Sequence, residues 1–191
     1  MRESIAASTW HSATPADTEA LGAKLATALM TARAARSDAG NSAQPGQSEP
    51  RRSAPGQGVG QAPEALVVVY LTGDLGAGKT TLARGFLHAI GVAEAIRSPT
   101  YTLLESYEAS GLTAVHLDLY RLRDPGELEP LGLRDLAQPS YVWLIEWAER
   151  GAGWLPPPDL EVRLSVGATG HRIEAAGVSA FGATWLSCTA A

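Results

Sequence analysis

The sequence is poor in the features that stabilise secreted proteins or anchor proteins in membranes. Its 191 residues include one cysteine, Cys188, which cannot form an internal disulfide or a zinc site made of several cysteines. No stretch approaches the roughly 18 consecutive apolar residues of a membrane-spanning helix, and the N-terminus lacks the basic start and apolar run of a secretory signal. We therefore expect a cytoplasmic protein with no membrane segment and no disulfide partner.

Basic residues are also scarce. Lysine and arginine together number 15 against 20 aspartates and glutamates, so the formal net charge is −5. A chain of this charge does not bind nucleic acid through overall electrostatic attraction. Arg121 and Arg123 form the one modest basic cluster near a motif. Any contact with nucleic acid is therefore expected to be local or to need a partner.

Large apolar residues are missing from Thr31 to Glu64, where Val59 is the one large aliphatic side chain. Such a composition buries too little apolar surface to offset the entropy lost on ordering, so we predict a flexible insertion over residues 31–64. The helix before it is expected to begin at Thr14-Pro15, which has the pattern of a cap and first turn, and to end at about Met30.

A phosphate-binding motif follows the first long apolar run. Leu66–Leu71 is typical of a strand buried on both faces, and Gly73–Thr80 then matches the pattern G-x-x-x-x-G-K-[ST] in full. Gly76 and Gly78 let the backbone turn its N–H groups around phosphate oxygens. Lys79, expected as a surface group, can reach the outer phosphates, and the Thr80 hydroxyl can ligate Mg²⁺. The motif predicts a site for a purine nucleoside triphosphate and magnesium.

Two acidic residues follow later strand-like runs. Asp118 ends one run and Glu146 ends another. Since parallel strands end at the edge of the sheet where ligands bind, either acid can face the phosphates and serve the metal, or be a solvated carboxylate. His116 shares a face with Asp118 and is a weaker candidate. Ser98-Pro99-Thr100 is either a segment that senses the γ-phosphate or an ordinary turn.

These elements predict an α/β fold like that of the P-loop NTPases, with three layers, a mainly parallel central sheet and a terminal antiparallel hairpin. The single domain is expected over residues 1–178, followed by a C-terminal tail over 179–191. The predicted elements after the phosphate motif are a helix bearing Leu82, Phe86 and Ile90, strands over 101–107, 112–119 and 141–145, a short helix over 127–137, and a hairpin of 160–166 with 172–176.

Four strings in this order resemble the TsaE family, formerly known as YjeE: GDLGAGKTTLARGF, SPTYTLLESY, HLDLYRL and LIEWAE. The likeness runs from Thr14 to about Ala176 without residues 31–64. It implies a bacterial ATPase required for threonylcarbamoyl-adenosine beside the anticodon of certain tRNAs. It also implies that TsaB and TsaD are partner proteins, and that tRNA is reached only through the complex. The insertion departs from the family pattern and leaves partner geometry on that side open.

The resemblance also implies roles for individual residues. Asp118, Lys79 and Thr100 are expected to act on the reacting phosphate, and Thr80 and Glu146 to hold magnesium. The residues expected to contact ATP are Leu75, Gly76, Ala77, Gly78, Lys79, Thr80, Thr81 and, on weaker alignment, Arg172.

Two other functions remain open from the residues alone. Many P-loop kinases have this size, so the chain could transfer phosphate to a small molecule, although no acceptor pocket or long arginine-rich lid can be identified. The third hypothesis is a nucleotide-gated binding module in which hydrolysis is incidental.

Overall fold

The computed structural model describes residues 5–41, 66–109 and 111–190. In these residues seven strands form one sheet with the order β1-β7-β6-β2-β5-β4-β3. In chain order the strands are β1 (Ala6–Ser12), β2 (Val67–Thr72), β3 (Leu104–Ala109), β4 (Leu112–Asp118), β5 (Tyr141–Glu146), β6 (Leu160–Gly167) and β7 (Gly170–Gly177). The helices are α1 (Pro15–Asn41), α2 (Lys79–Ala89) and α3 (Ala180–Ser187), with 3-10 helices at Pro125–Leu131 and Ala148–Gly151.

The centre of the sheet is parallel and its margins are antiparallel. β2 pairs in parallel with β5 and β6, and β4 pairs in parallel with β5. β6 and β7 form the expected antiparallel hairpin, β1 pairs with β7, and β3 pairs with β4. The register places Leu71 and Asp118 on either side of Glu146. The predicted fold class is confirmed, and the carboxyl ends of β2, β4 and β5 meet at one edge.

The two faces of the sheet are covered differently. The three α-helices lie on one face, over a core that includes Leu29, Phe86 and Trp185. The 3-10 helices and their loops cover the other face, where Trp143 and Leu128 are buried. Close packing of α1 on α2 requires glycine: a Cβ atom on Gly85 would lie 2.0 Å from the carbonyl oxygen of Glu19.

The predicted end of the first helix is wrong. α1 begins as expected, with the Thr14 hydroxyl accepting a hydrogen bond from the Asp17 N–H at 3.2 Å, but it continues to Asn41. Ala32 is 1% exposed, and the Arg33 guanidinium donates a hydrogen bond to the Pro139 carbonyl. Alanine is the best helix former, so an Ala-rich stretch without large apolar residues can still extend a helix. Residues 42–64 of the predicted insertion lie outside the described residues.

The C-terminal boundary also differs from the prediction. Most of the expected tail forms α3, whose Trp185 is fully buried, with its indole Nε1 donating a hydrogen bond to the Leu25 carbonyl at 2.8 Å. The segment 179–190 therefore belongs to the packed domain.

Two further elements are displaced from their predicted bounds. β3 begins at Leu104, and Tyr101 lies in the turn before it, 83% exposed. The helix expected over 127–137 is a 3-10 helix that starts two residues earlier, where Asp124 and Glu127 form a capping box, and it ends at Leu131. No described helix has both the length and the apolar character needed to cross a membrane.

Candidate nucleotide-binding site

A cavity of about 450 Å³ opens at the edge of the sheet where β2, β4 and β5 end. It brings together the phosphate motif, both predicted acids and the Ser98–Thr100 segment. Its lining residues are Leu75, Gly76, Gly78, Lys79, Thr80, Thr81, Ser98, Thr100, Asp118, Tyr120, Arg121, Glu146 and Trp147.

The phosphate motif joins β2 to α2 through a loop that depends on glycine. Gly78, the residue before the helix, has φ 95°, in the left-handed region that other residues rarely adopt. A Cβ atom there would also come within 3.3 Å of His171 Nδ1 on β7. Because α2 starts at the next residue, its first N–H groups and its dipole face the cavity. The loop is therefore built to receive an anion.

Lys79 is buried, which corrects the expectation that it is a surface group. It is 4% exposed, because the Trp147 ring lies over its ammonium group, with 4.1 Å between Nζ and the ring centroid. Nζ donates hydrogen bonds to the carbonyl oxygens of Gly73 at 2.7 Å and Asp74 at 2.8 Å. Burial lowers the pKa of Lys79, while the charges of Glu146 and Asp118 act in the opposite direction. These contacts hold the ammonium group within the loop, where it can also pair with a phosphate.

Glu146 is held by two donors from different elements. The Thr80 hydroxyl donates to Glu146 Oε1 at 2.8 Å, and His116 Nε2 lies 2.9 Å from the same oxygen. The carboxylate is only 3% exposed, so these hydrogen bonds offset part of the cost of burying its charge.

Asp118 has a separate set of partners. Thr100 donates to Asp118 Oδ2 at 2.6 Å, Ser98 donates to the same oxygen, and the Tyr120 N–H donates to Oδ1 at 3.0 Å. The Ser98–Thr100 segment is thus tied directly to the carboxylate at the end of β4. This contact joins the predicted switch-like segment to the acid expected to act on phosphate.

Four aromatic or basic residues were not among the predicted site residues: Tyr120, Arg121 and Trp147 line the cavity, and Tyr101 contacts Arg121. Trp147 contacts both Lys79 and the Tyr120 ring, with 5.1 Å between the two ring centroids. The Arg121 guanidinium stacks on the exposed Tyr101 ring at 4.1 Å. The sequence signal that could have identified two of them is their position. Trp147 directly follows Glu146, and Tyr120 lies two residues after Asp118.

The remaining predicted nucleotide contacts differ in their surroundings. Leu75 and Thr81 line the cavity, with Leu75 70% exposed, whereas Ala77 within the loop is fully buried and does not line the cavity. Arg172 is on β7 outside the cavity lining, and its exposed guanidinium pairs with Glu174 at 2.8 Å. Its predicted contact with the adenosine stays a prediction.

The residues beside the phosphate loop fit a magnesium ion. Thr80 offers a hydroxyl and Glu146 a carboxylate, and Mg²⁺ prefers such oxygen ligands. Among the described residues no group of three or more His, Cys, Asp and Glu side chains is arranged to hold a metal. A site with few protein ligands suits Mg²⁺, which commonly keeps several waters and uses phosphate oxygens as well.

Comparison with known proteins agrees with this architecture. The chain is similar over 101 residues, at 52% identity, to the tRNA threonylcarbamoyladenosine biosynthesis protein TsaE of Haemophilus influenzae, covering 53% of this chain and 64% of that protein. The protein of the same name from Bacillus subtilis is 40% identical over 95 residues, which cover 50% of this chain and 59% of that protein. These two matches span less than two thirds of each relative.

A third protein of that name, from Treponema pallidum, is 40% identical over 114 residues, 60% of this chain and 84% of that protein. The crystal structure of YdiB from Bacillus subtilis shares the fold, with a TM-score of 0.66 and 24% identity over 100% of this chain and 96% of that one. The family model described as threonylcarbamoyl adenosine biosynthesis protein TsaE matches residues 12–173. The chain therefore belongs to the TsaE family.

Proposed function

We propose that this chain is a magnesium-dependent ATPase that supports the synthesis of threonylcarbamoyladenosine in tRNA. One observation carries the proposal: a complete phosphate loop faces two buried carboxylates, Asp118 and Glu146, across a single cavity. The family description and the names of the relatives support the pathway. The family likeness also supports TsaB and TsaD as partner proteins.

The residues of the loop would bind and orient the triphosphate. Backbone N–H groups at the start of α2 provide fixed dipoles for phosphate oxygens. Lys79 would exchange its contacts with the carbonyls of Gly73 and Asp74 for contacts with the outer phosphates. There its positive charge would stabilise the negative charge on the phosphate oxygens during transfer. The Trp147 ring covers the lysine ammonium group and limits its contact with water.

The two carboxylates would have different tasks. Thr80 and Glu146 would hold magnesium, which when bound neutralises phosphate charge. Asp118 would orient the attacking water, or accept its proton, at the γ-phosphate. Thr100 and Ser98 hold this carboxylate from one side and the Tyr120 N–H from the other, so it is oriented before any substrate arrives.

The chain offers a matched pair of variants to test the assignment, because Lys24 and Lys79 are its two lysines. Lys79→Met keeps most of the buried stem and removes the charge, so we expect ATP turnover to fall about 100-fold or more. Lys24→Met changes an exposed lysine on α1 and should turn over ATP like the wild type.

The measurement is ADP release, with and without TsaB and TsaD, across a panel of small-molecule phosphate acceptors. Release of ADP and inorganic phosphate that needs no acceptor supports an ATPase. Stoichiometric phosphorylation of an acceptor would instead identify a kinase. Wild-type turnover by Lys79→Met would refute the site.

A further inference from the structure

His116 is a fully buried histidine whose hydrogen bonding is directed at one site residue. It lies on β4 and is 0% exposed. Its Nε2 lies 2.9 Å from Glu146 Oε1, on the neighbouring parallel strand. That same oxygen accepts the Thr80 hydroxyl at 2.8 Å. Glu146 is therefore fixed from the sheet by His116 and from α2 by Thr80.

The surroundings of the imidazole decide which nitrogen carries the proton. An ionised carboxylate can only accept, so Nε2 must be the donor. Nδ1 is buried and has no hydrogen-bond partner. Glu146 is thus the hydrogen-bond partner that the structure records for this imidazole.

A histidine that only filled the core would not need a hydrogen bond to Glu146. The flanking β4 residues Val115 and Leu117 are fully buried apolar side chains. An apolar side chain at position 116 would fill the same space without burying an unpartnered nitrogen. The hydrogen bond to Glu146 Oε1 offsets the free-energy cost of burying the polar imidazole of His116. The other acid of the cavity, Asp118, accepts hydrogen bonds from Ser98, Thr100 and a backbone N–H instead.

We propose that His116 is a positioning residue that orients the Glu146 carboxylate for magnesium; this inference rests on the proposed function. A ligating carboxylate that is hydrogen-bonded from behind keeps one orientation and loses less entropy when the metal binds. Removing such a partner typically weakens metal binding about 10-fold to 100-fold. The nucleotide itself contacts the loop, so its metal-free affinity should not depend on His116.

The test uses the full chain and a fluorescent ADP analogue, titrated in EDTA and over a range of Mg²⁺ concentrations. His116→Leu removes the donor, His116→Asn keeps polarity but is too short to reach Glu146, and His116→Gln can place an amide N–H near the position of Nε2. Leu and Asn should raise the half-saturating Mg²⁺ concentration at least about 10-fold. Gln should restore most of the wild-type value, and all three should bind the analogue equally in EDTA.

Val115→Ala is the matched control, because it creates a cavity at the next residue of the same strand without touching Glu146. It should lower the melting temperature and leave the Mg²⁺ dependence unchanged. If His116→Leu does not fold, the Asn and Gln pair makes the same comparison. Wild-type Mg²⁺ dependence in folded Leu or Asn variants, or failure of Gln to restore it, would overturn this inference alone. A wild-type chain whose nucleotide binding ignores Mg²⁺ would overturn the proposed function and this inference with it.

Discussion

Two carboxylates at paired positions of neighbouring strands have different surroundings. Asp118 and Glu146 are register partners, yet Glu146 contacts Thr80 of the phosphate loop and Asp118 contacts Ser98 and Thr100. The hydroxyl of Thr80 is the expected magnesium ligand of the loop, so we propose that the acid beside it shares the ion. For the other acid we propose a role at the reacting phosphate.

Glu146→Gln should therefore weaken magnesium binding, and Asp118→Asn should slow the chemical step. The first variant keeps shape but loses the charge that attracts the cation, so activity should return in part at high Mg²⁺. The second should bind MgATP nearly normally and turn over about 100-fold more slowly at any Mg²⁺ concentration. Magnesium titrations of ATP binding and hydrolysis measure both effects.

Each variant is the control for the other, because both change a buried carboxylate to its amide at the same edge of the sheet. Rescue of Asp118→Asn by excess Mg²⁺, with no rescue of Glu146→Gln, would show that the two roles are reversed.

Backbone strain is also concentrated at this edge. Among the described residues, two that are not glycine have positive φ: Leu103 at 63° and Trp147 at 59°. Trp147 directly follows Glu146 and covers Lys79, and Leu103 ends the turn that carries Thr100. Such conformations cost about 1–3 kcal/mol each and persist where the surrounding structure imposes them. Here the Trp147 ring lines the cavity, whereas Leu103 packs against the apolar core on that face of the sheet.

At the scale of the element, α1 divides the predicted insertion into two parts. Residues 31–36 are helical, and Ala32 and Arg33 contact the rest of the domain. The rest of the predicted insertion, up to Glu64, contains one large aliphatic residue, Val59. Composition misjudged residues 31–36, because a short alanine side chain contributes little to hydropathy yet favours helix and packs closely. For residues 42–64, which lie outside the described residues, the predicted flexibility stays a prediction.

Two deletions joined by the same Gly/Ser linker separate these parts. Removing residues 42–64 should leave the free energy of unfolding and ATP binding close to wild type, because almost no apolar surface is lost. Removing residues 31–64 should lower the free energy of unfolding by about 2 kcal/mol, through loss of the Ala32 packing and the Arg33 hydrogen bond.

Urea unfolding and fluorescent-nucleotide binding provide the measurements. Equal stability of the two deletion variants would show that residues 31–41 contribute nothing. Loss of nucleotide binding on removal of 42–64 alone would show that this stretch supports the site.

At the scale of the whole molecule, the charge balance bears on the proposed role in tRNA modification. The net charge is −5, and binding to a polyanion depends on released counterions from phosphate contacts with lysine and arginine. We expect the isolated chain to bind tRNA with a dissociation constant weaker than about 10 µM at physiological salt. A mobility-shift assay with tRNA should show a complex only when TsaB and TsaD are added.

The variant Arg121→Ala with Arg123→Ala tests the local alternative, since both side chains are exposed and Arg121 lines the cavity. If the isolated wild-type chain binds tRNA with a steep salt dependence, and this double variant does not, a local basic patch binds RNA directly. That result would contradict the requirement for partners.

The sequence by itself determined the phosphate loop, its flanking strand and helix, and the positions of the two acids at strand ends. These features are contiguous in the chain, so local periodicity and the spacing of glycines report them directly. The family likeness added the roles of Asp118 and Glu146, which the residues alone left open. The tests of those roles are the variants described above.

Only the tertiary structure decided how these pieces combine. The contact of His116 and Thr80 at one oxygen of Glu146 depends on the pairing of β4 with β5 and on the position of α2. The burial of Lys79 depends on the left-handed backbone of Trp147. The hydrogen bond from the Trp185 indole to the Leu25 carbonyl joins residues 160 positions apart. Strand order and register set these distances, and neither can be read from the preferences of neighbouring residues.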